Sequence, residues 1–226
     1  MNAPTLLFFA AYPAAESLGF AAGGADAARL AEALLLDGMA RSGAVAAARG
    51  WRRVLCFEPL AAREAFRALL AREGWTDAWT LLPQAEGARS HRWRCAQQLA
   101  ALKGWGPVGY ASVATLCVPA AELTRGMELA EGQSTFLVSS SAGEPAWLAL
   151  AAGVPAKVFE HASWSGEAAA GDPFHHLVRC HLRAVKGPAC EALRSEADLK
   201  ALHARLRADA GDAPRTKAVL DAVRGV

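Results

Sequence analysis

Thr5-Leu-Leu-Phe-Phe-Ala-Ala-Tyr12 carries no charge and is followed by a glycine-rich loop to Gly24 and a helical pattern from about Asp26. A short run of bulky apolar residues ahead of a loop and a helix reads as a β-loop-α unit. The chain repeats it. Arg53-Val-Leu-Cys-Phe57 precedes a helix marked by Ala62, Phe66, Leu69 and Leu70 that closes near Gly74. Ala78-Trp-Thr-Leu-Leu82 precedes a basic helix running to about Lys103. Val108-Gly-Tyr-Ala-Ser-Val113 leads to Pro119 as a first-turn residue of a helix from Ala120 to Leu129, and Ser134-Thr-Phe-Leu-Val138 is the fifth strand.

Strands that alternate with helices require crossover connections, which are right-handed and generate a mostly parallel sheet covered on both faces. The expected fold is therefore α/β, a three-layer α/β/α arrangement around a doubly wound sheet. After Ser141 the rhythm changes, and Trp147 to Val154 and Lys157-Val-Phe159 read as shorter or antiparallel edge strands. Asp172-Pro173 supplies an N-cap and first-turn pair for a helix through about Val185, with closing helices from Ser195 and Thr216. No low-complexity linker or internal repeat divides the chain, so residues 1–226 are expected to form one domain.

Hydrophobic residues make up 53% of the chain, enough for a large core, and the formal net charge is +2 from 24 basic and 22 acidic residues. So small a net charge argues against nucleic acid and anionic membrane as partners. The densest basic cluster, Arg89, His91, Arg92 and Arg94 around Trp93, reads either as phosphate contacts beside a stacking ring or as the exposed side of a helix. Five cysteines without a C-x-x-C pair fit neither a disulfide framework nor a zinc ribbon and point to a reducing, cytoplasmic setting. No Lys or Arg precedes the apolar run Thr5 to Ala15, which argues against a signal peptide, and no stretch nears the roughly 20 apolar residues of a membrane helix.

Ligands of open parallel sheets bind beyond the carboxyl ends of the strands, where the strand order reverses. The first such loop starts at Ala11 and holds Tyr12 and Pro13, but it lacks the G-K-[ST] ending of a phosphate loop and contains no basic residue. The stretch Tyr110 to Pro119 carries no charged side chain, and Ser139-Ser-Ser-Ala-Gly143 holds no carboxylate. A Mg²⁺ or Mn²⁺ site bridging phosphates needs one or two carboxylates, so no metal is expected at these loops. The candidate ligand-binding residues are Tyr12, Pro13, Arg92, the hydroxyls of Ser112, Thr115, Ser139, Ser140 and Ser141, and Trp147 as a ring to stack on a base or sugar. Serine-rich turns also satisfy their own backbone. His161, His175, His176, Cys180 and His181 form a separate group in which His176 and Cys180, at i and i+4, could share zinc. Cys117 at a helix N-terminus, with His91 as a distant base, is a weaker nucleophile candidate.

The order of elements resembles the bacterial glycosyltransferase A-like family of the nucleotide-diphospho-sugar transferase fold, a Rossmann-like α/β architecture. The resemblance runs from about Leu6 to Leu206. It is clearest in Leu30-Ala-Glu-Ala-Leu-Leu-Leu-Asp37, Leu81-Leu-Pro-Gln84, Gly106-Pro-Val108, Val158-Phe-Glu160, Trp164-Ser165 and Glu196-Ala-Asp-Leu199. The family's functional strings are changed. Of F-A-K-x-P-x-x-G-x-x-K-T-R only Phe9, Ala10 and Pro13 remain, Ala11 stands at the first lysine, and Gly19, Phe20 and Ala21 fall at the later Lys-Thr-Arg. G-A-D-S-P-D-L-P becomes Ser112-Val-Ala-Thr-Leu-Cys-Val-Pro119, so Ala114 and Cys117 replace both aspartates. E-D-G-G becomes Ser141-Ala-Gly-Glu144, and D-V-D-T becomes Ala192-Leu-Arg-Ser195.

The resemblance thus implies a degenerate member without metal-dependent catalysis, cofactor or catalytic residue. Its expected ligand is a nucleotide or nucleotide-sugar, and a second copy or another protein is an admissible partner. Two alternatives stand beside it: nucleotide-sugar transfer without a metal, using Arg92, Ser139 to Ser141 and helix N-termini, and a structural zinc protein.

Overall fold

The computed structural model describes residues 2–13, 25–164, 171–208 and 213–222. Seven strands form one sheet: β1 (Thr5–Ala11), β2 (Arg52–Glu58), β3 (Thr80–Pro83), β4 (Val108–Ala111), β5 (Thr135–Ser139), β6 (Pro145–Leu150) and β7 (Ala184–Lys186), in the order β3-β2-β1-β4-β6-β5-β7. The helices are α1 (Ala25–Ala48), α2 (Arg63–Arg72), α3 (Arg89–Leu102), α4 (Ala120–Glu131), α5 (Pro173–Arg179), α6 (Glu196–Ala208) and α7 (Pro214–Ala222).

Alternate residues of each strand serve opposite layers. Leu6, Phe8 and Ala10 of β1 and Leu55 and Phe57 of β2 pack with Leu35 and Met39 of α1, Phe66 of α2 and Leu123 and Met127 of α4. Leu7, Val54, Cys56 and Tyr110 pack on the other face with Trp93 and Ala96 of α3 and Leu177 of α5. A strand covered on both faces needs apolar groups at every position, which explains the unbroken apolar runs in the sequence. The α/β/α layering is thereby set. Outside α1 lies a further cluster, in which Leu30 and Leu34 meet Leu199, Leu202 and Leu206 of α6 and Leu220 of α7. Asp37 of α1, 1% exposed, holds this layer: its Oδ2 accepts a hydrogen bond from the Thr216 amide at 2.7 Å, in the first turn of α7, and its Oδ1 lies 3.5 Å from Arg215.

Four sequence expectations need correction. The segment around Trp147 forms β6, which lies inside the sheet rather than at its edge and pairs antiparallel with both β4 and β5. Lys157-Val-Phe159 lies in a 3-10 turn, Ala156–Glu160, with Val158 and Phe159 buried. The helix from Asp172 stops at Arg179, because His181 takes a left-handed φ of 58°, and Val185 belongs to edge strand β7. Asp172 does cap α5, accepting from the Phe174 amide at 2.9 Å. Pro119 is the N-cap of α4 rather than its first-turn residue.

Trp147 is 1% exposed and wedged between β4 and α4. A Cβ at Gly109 would stand 2.3 Å from its ring, and one at Gly126 would stand 2.4 Å from its indole nitrogen. A Gly→Ala change inside a helix ordinarily gains about 1 kcal/mol. At Gly126 the clash outweighs that gain, so Gly126→Ala is expected to destabilise the protein by about 1–3 kcal/mol, read by urea denaturation. Adding Trp147→Leu should recover part of the loss, and a neutral Gly126→Ala would contradict this packing.

Candidate functional site

The sheet reverses its order between β1 and β4: β2 and β3 follow outward from one side of β1, and later strands from the other side of β4. Beyond the carboxyl ends of this pair lies a cleft of about 450 Å³. Its walls come from the ends of β1 (Phe9 to Ala11), β2 (Glu58) and β4 (Ser112 to Ala114), from Arg89, Arg92 and Trp93 of α3, and from Ser140, Glu144 and Glu191. This is the position in which open α/β sheets hold ligands.

The cleft is charged despite the uncharged end of β4. Glu58, Glu144 and Glu191 line it, each opposite a guanidinium. Glu58 pairs with Arg92, whose Nε also donates to the Gly87 carbonyl at 2.6 Å. Glu144 lies 3.5 Å from Arg89 and 3.7 Å from Arg194. Glu191 accepts from Arg205 Nε at 3.2 Å, and Arg205 also donates to the Leu116 carbonyl at 3.1 Å. Gln84 fastens the rim, its amide donating to the carbonyls of Ala10 at 3.0 Å and Cys56 at 2.7 Å. Arg89 opens α3, which has no side-chain cap, and its Nη1 is a buried donor without a partner.

These carboxylates do not suit a divalent cation. A Mg²⁺ or Mn²⁺ ion would have to take oxygens that already face guanidinium groups, at close range to like charge. Among the described residues, no group of three or more His, Cys, Asp or Glu is arranged to hold a metal ion.

The candidate residues separate on this geometry. Arg92, Ser112 and Ser140 line the cleft. Arg89 was read only within the basic cluster of α3 and Glu144 only as the end of the string set against E-D-G-G, while Glu58 and Glu191 were missed. Ser139 and Ser141 line a neighbouring cavity instead, together with Ser140. Thr115 is 1% exposed and its hydroxyl donates to the Ser112 carbonyl at 2.5 Å, a turn-closing role. Tyr12 packs edge-on against Phe66 at 5.4 Å, and Pro13 faces a groove between α1 and α7. Trp147 offers no face to a ligand, because the core encloses its ring. Trp93 is likewise embedded among Phe9, Tyr110, Phe159 and Trp164. Burial pushes the Cys117 thiol up to about 12, which removes the nucleophile, and His91 contacts Arg94 and Cys95 on its own helix. Residues 14–24, with Gly19, Phe20 and Ala21 at the Lys-Thr-Arg positions, lie outside the described residues, as does Ser165.

Comparison with known proteins gives the fold. No family model and no curated protein matches the chain. A solved structure of a protein from Desulfovibrio desulfuricans G20, assigned as a nucleotide-diphospho-sugar transferase, superposes with a TM-score of 0.83 at 18% identity, covering 98% of this chain and 95% of that one. The 4-diphosphocytidyl-2C-methyl-D-erythritol synthase of Anaerococcus prevotii DSM 20548 gives 0.54 at 12% identity, covering 91% and 99%. A CMP:2-keto-3-deoxy-manno-octonic acid synthetase, solved with CTP, gives 0.52 at 10% identity, covering 92% and 100%. The chain has the nucleotide-diphospho-sugar transferase fold, as the resemblance implied. Among the described residues no helix is long and apolar enough to cross a membrane.

The histidine cluster does not converge on a metal. His161 and His176 stack face to face, centroids 4.3 Å apart at 14°, so their in-plane lone pairs run parallel rather than toward one point. The His176 Nε2 is spent on the Val158 carbonyl at 2.9 Å, and His161 Nδ1 accepts from the Ser163 amide at 3.1 Å. His181 is exposed, because α5 has already ended.

Burial, with smaller contributions from His161 and Arg179, holds His176 below the ordinary histidine range. A lowered folded value means that the unfolded chain takes the proton first, so stability must fall as pH drops below about 6.5. Urea titrations at about pH 7.5 and about pH 5.5 should show that loss, and His176→Gln, which can still donate to Val158, should shrink it. An unchanged pH dependence in the variant would contradict the assignment.

Proposed function

We propose that the chain binds a nucleotide or nucleotide-sugar in the β1–β4 cleft without a divalent cation, as a degenerate member of its fold that has given up metal-dependent transfer. The observation that supports this reading is the pairing of every glutamate lining the cleft with an arginine. In a site that holds a diphosphate through a metal, carboxylates bind the metal and the metal binds phosphate oxygens. Here the carboxylates orient guanidinium groups, which can meet phosphate directly and in bidentate fashion. Arg89 is the donor best placed to do so, since its Nη1 lacks a partner and it stands in the first turn of α3, where backbone N–H groups and the helix dipole favour an anion. Arg92 adds a second guanidinium, shared with Glu58. The neighbours of similar fold include a synthetase solved with CTP, and a nucleotide is the ligand class that this likeness suggests.

Metal-independent transfer is the second reading. Arg89, Arg92 and the amides of the α3 N-terminus could steady a leaving diphosphate by charge alone. It requires turnover of a nucleoside diphosphate sugar in the presence of chelator, and a broad donor and acceptor panel that releases no nucleotide ends it.

The binding reading is tested by calorimetric titration of nucleoside diphosphates and their sugars, with Mn²⁺ or with EDTA. The expected affinities agree within about twofold, well inside 1 kcal/mol. Glu58→Gln separates the cases further. Releasing Arg92 from its carboxylate should tighten diphosphate binding several-fold, whereas loss of a metal ligand would weaken it, and only in the presence of Mn²⁺. Tenfold tightening by the metal in the wild type would overturn the proposal.

A further inference from the structure

His161, His176 and Arg179 gather where α5 packs beside the 3-10 turn Ala162–Trp164, and none of them lines the β1–β4 cleft. We infer that His161 and Arg179 form a second anion site, separate from the cleft, that takes a phosphate group.

The reason lies in the two ring nitrogens of His161. Nδ1 receives the Ser163 amide at 3.1 Å, and Nε2 lies 3.2 Å from Nη2 of Arg179. A backbone amide and a guanidinium can only donate, whereas a neutral imidazole has a single lone pair to offer. One of the two contacts therefore sets donor against donor. Ser163 is 4% exposed, so giving up its bond to Nδ1 would strand a buried amide. The lone pair accordingly belongs to Nδ1, and the proton stands on Nε2, aimed at Arg179. The ring is held in that place: it stacks on His176 with centroids 4.3 Å apart, and His176 is tied to the Val158 carbonyl at 2.9 Å.

Two donors that converge without an acceptor call for one from outside. Glu160, the carboxylate next to His161 in the chain, is turned to Arg94 at 3.3 Å, and among the described residues Arg179 has no carboxylate partner. The carbonyls that end α5 already accept from the amides of Cys180, His181 and Leu182. A phosphate oxygen set to one side of the line from Nε2 to Nη2 reaches both donors, and a second oxygen takes another arm of the guanidinium fork. A metal ion would meet N–H groups where it needs lone pairs.

The test is an NMR titration of the full chain with inorganic phosphate and with two phosphate esters, O-phosphoserine and glucose 1-phosphate. Sodium chloride and sodium acetate at matched ionic strength are the controls, and UDP reports separately on the cleft. Phosphate or its esters should shift the His161 ring nitrogens and the amides of residues 160–163 and 178–181, saturating in the millimolar range. Arg179→Gln, at an exposed position, should leave the melting temperature level and weaken that binding by about fivefold or more, the worth of a hydrogen bond to a charged group. His161→Asn keeps an acceptor for the Ser163 amide but has nothing at the Nε2 position, and it should weaken binding to a similar degree. Binding of inorganic phosphate alone, of the esters alone or of both supports the site and tells a free from an esterified source. The inference is overturned if no phosphate compound shifts these resonances, if chloride or acetate does so as strongly, which would mean an adventitious ion only, or if Arg179→Gln and His161→Asn bind phosphate like wild type. Failure of UDP to bind would count against the cleft reading alone.

Discussion

Everything at the candidate site depends on how Trp147 seats β6. The indole lies where Gly109 of β4 and Gly126 of α4 leave no Cβ, so helix and strand close on the ring from two sides. That contact fixes β6 next to β4, with Tyr110 opposite Leu148 and Val108 opposite Leu150. Because β6 runs against its neighbours, its first residue, Pro145, lies at the end of the sheet where β1 and β4 finish. The turn from Ser140 to Glu144 is therefore delivered to the cleft. An edge strand at the same place in the sequence would have left Glu144 and the serines remote from it.

Once the turn is there, electrostatics decides what the cleft can hold. Glu144 reaches Arg89 and Arg194, Glu58 reaches Arg92, and Glu191 reaches Arg205. Pairs of this kind, partly sheltered from water, add modestly to stability, but removing one partner leaves a half-buried charge uncompensated. A divalent cation would separate the glutamates from their arginines and strand those arginines beside positive charge. An anionic ligand has the easier course, since guanidinium groups hold more donors than one carboxylate can occupy. The arrangement favours phosphate on arginine over phosphate on metal.

Much of the fold was legible in the sequence because strands buried on both faces spell continuous apolar runs, as in Thr5 to Ala11 and, within β2, Val54 to Phe57. The parts that were not legible have physical causes. Pro145-Ala-Trp-Leu-Ala-Leu150 is as buried as any central strand, but its direction is set by pairing partners that no local pattern encodes. β7 has only three residues and lies where a helical pattern continued, and the left-handed turn at His181 that ends α5 is not glycine. The resemblance sets the uncharged Ala114 and Cys117 where the family's motif has aspartates. The charged lining of the cleft could not be read in the same way, since Glu58, Glu144 and Glu191 come from three distant segments that only the sheet order brings together. Glu144 was the nearest signal, one residue past the uncharged Ser139 to Gly143.

In the proposed mode of binding, arginines rather than a carboxylate-bound cation face the ligand in the β1–β4 cleft. The most direct measurement is a crystal structure of the protein soaked with a nucleoside diphosphate and Mn²⁺, with anomalous scattering used to locate the metal. Phosphate oxygens are expected on Arg89 and Arg92, with no anomalous peak within bonding distance of Glu58, Glu144 or Glu191. A manganese peak ligated by two of these glutamates, with their arginines swung away, would contradict it.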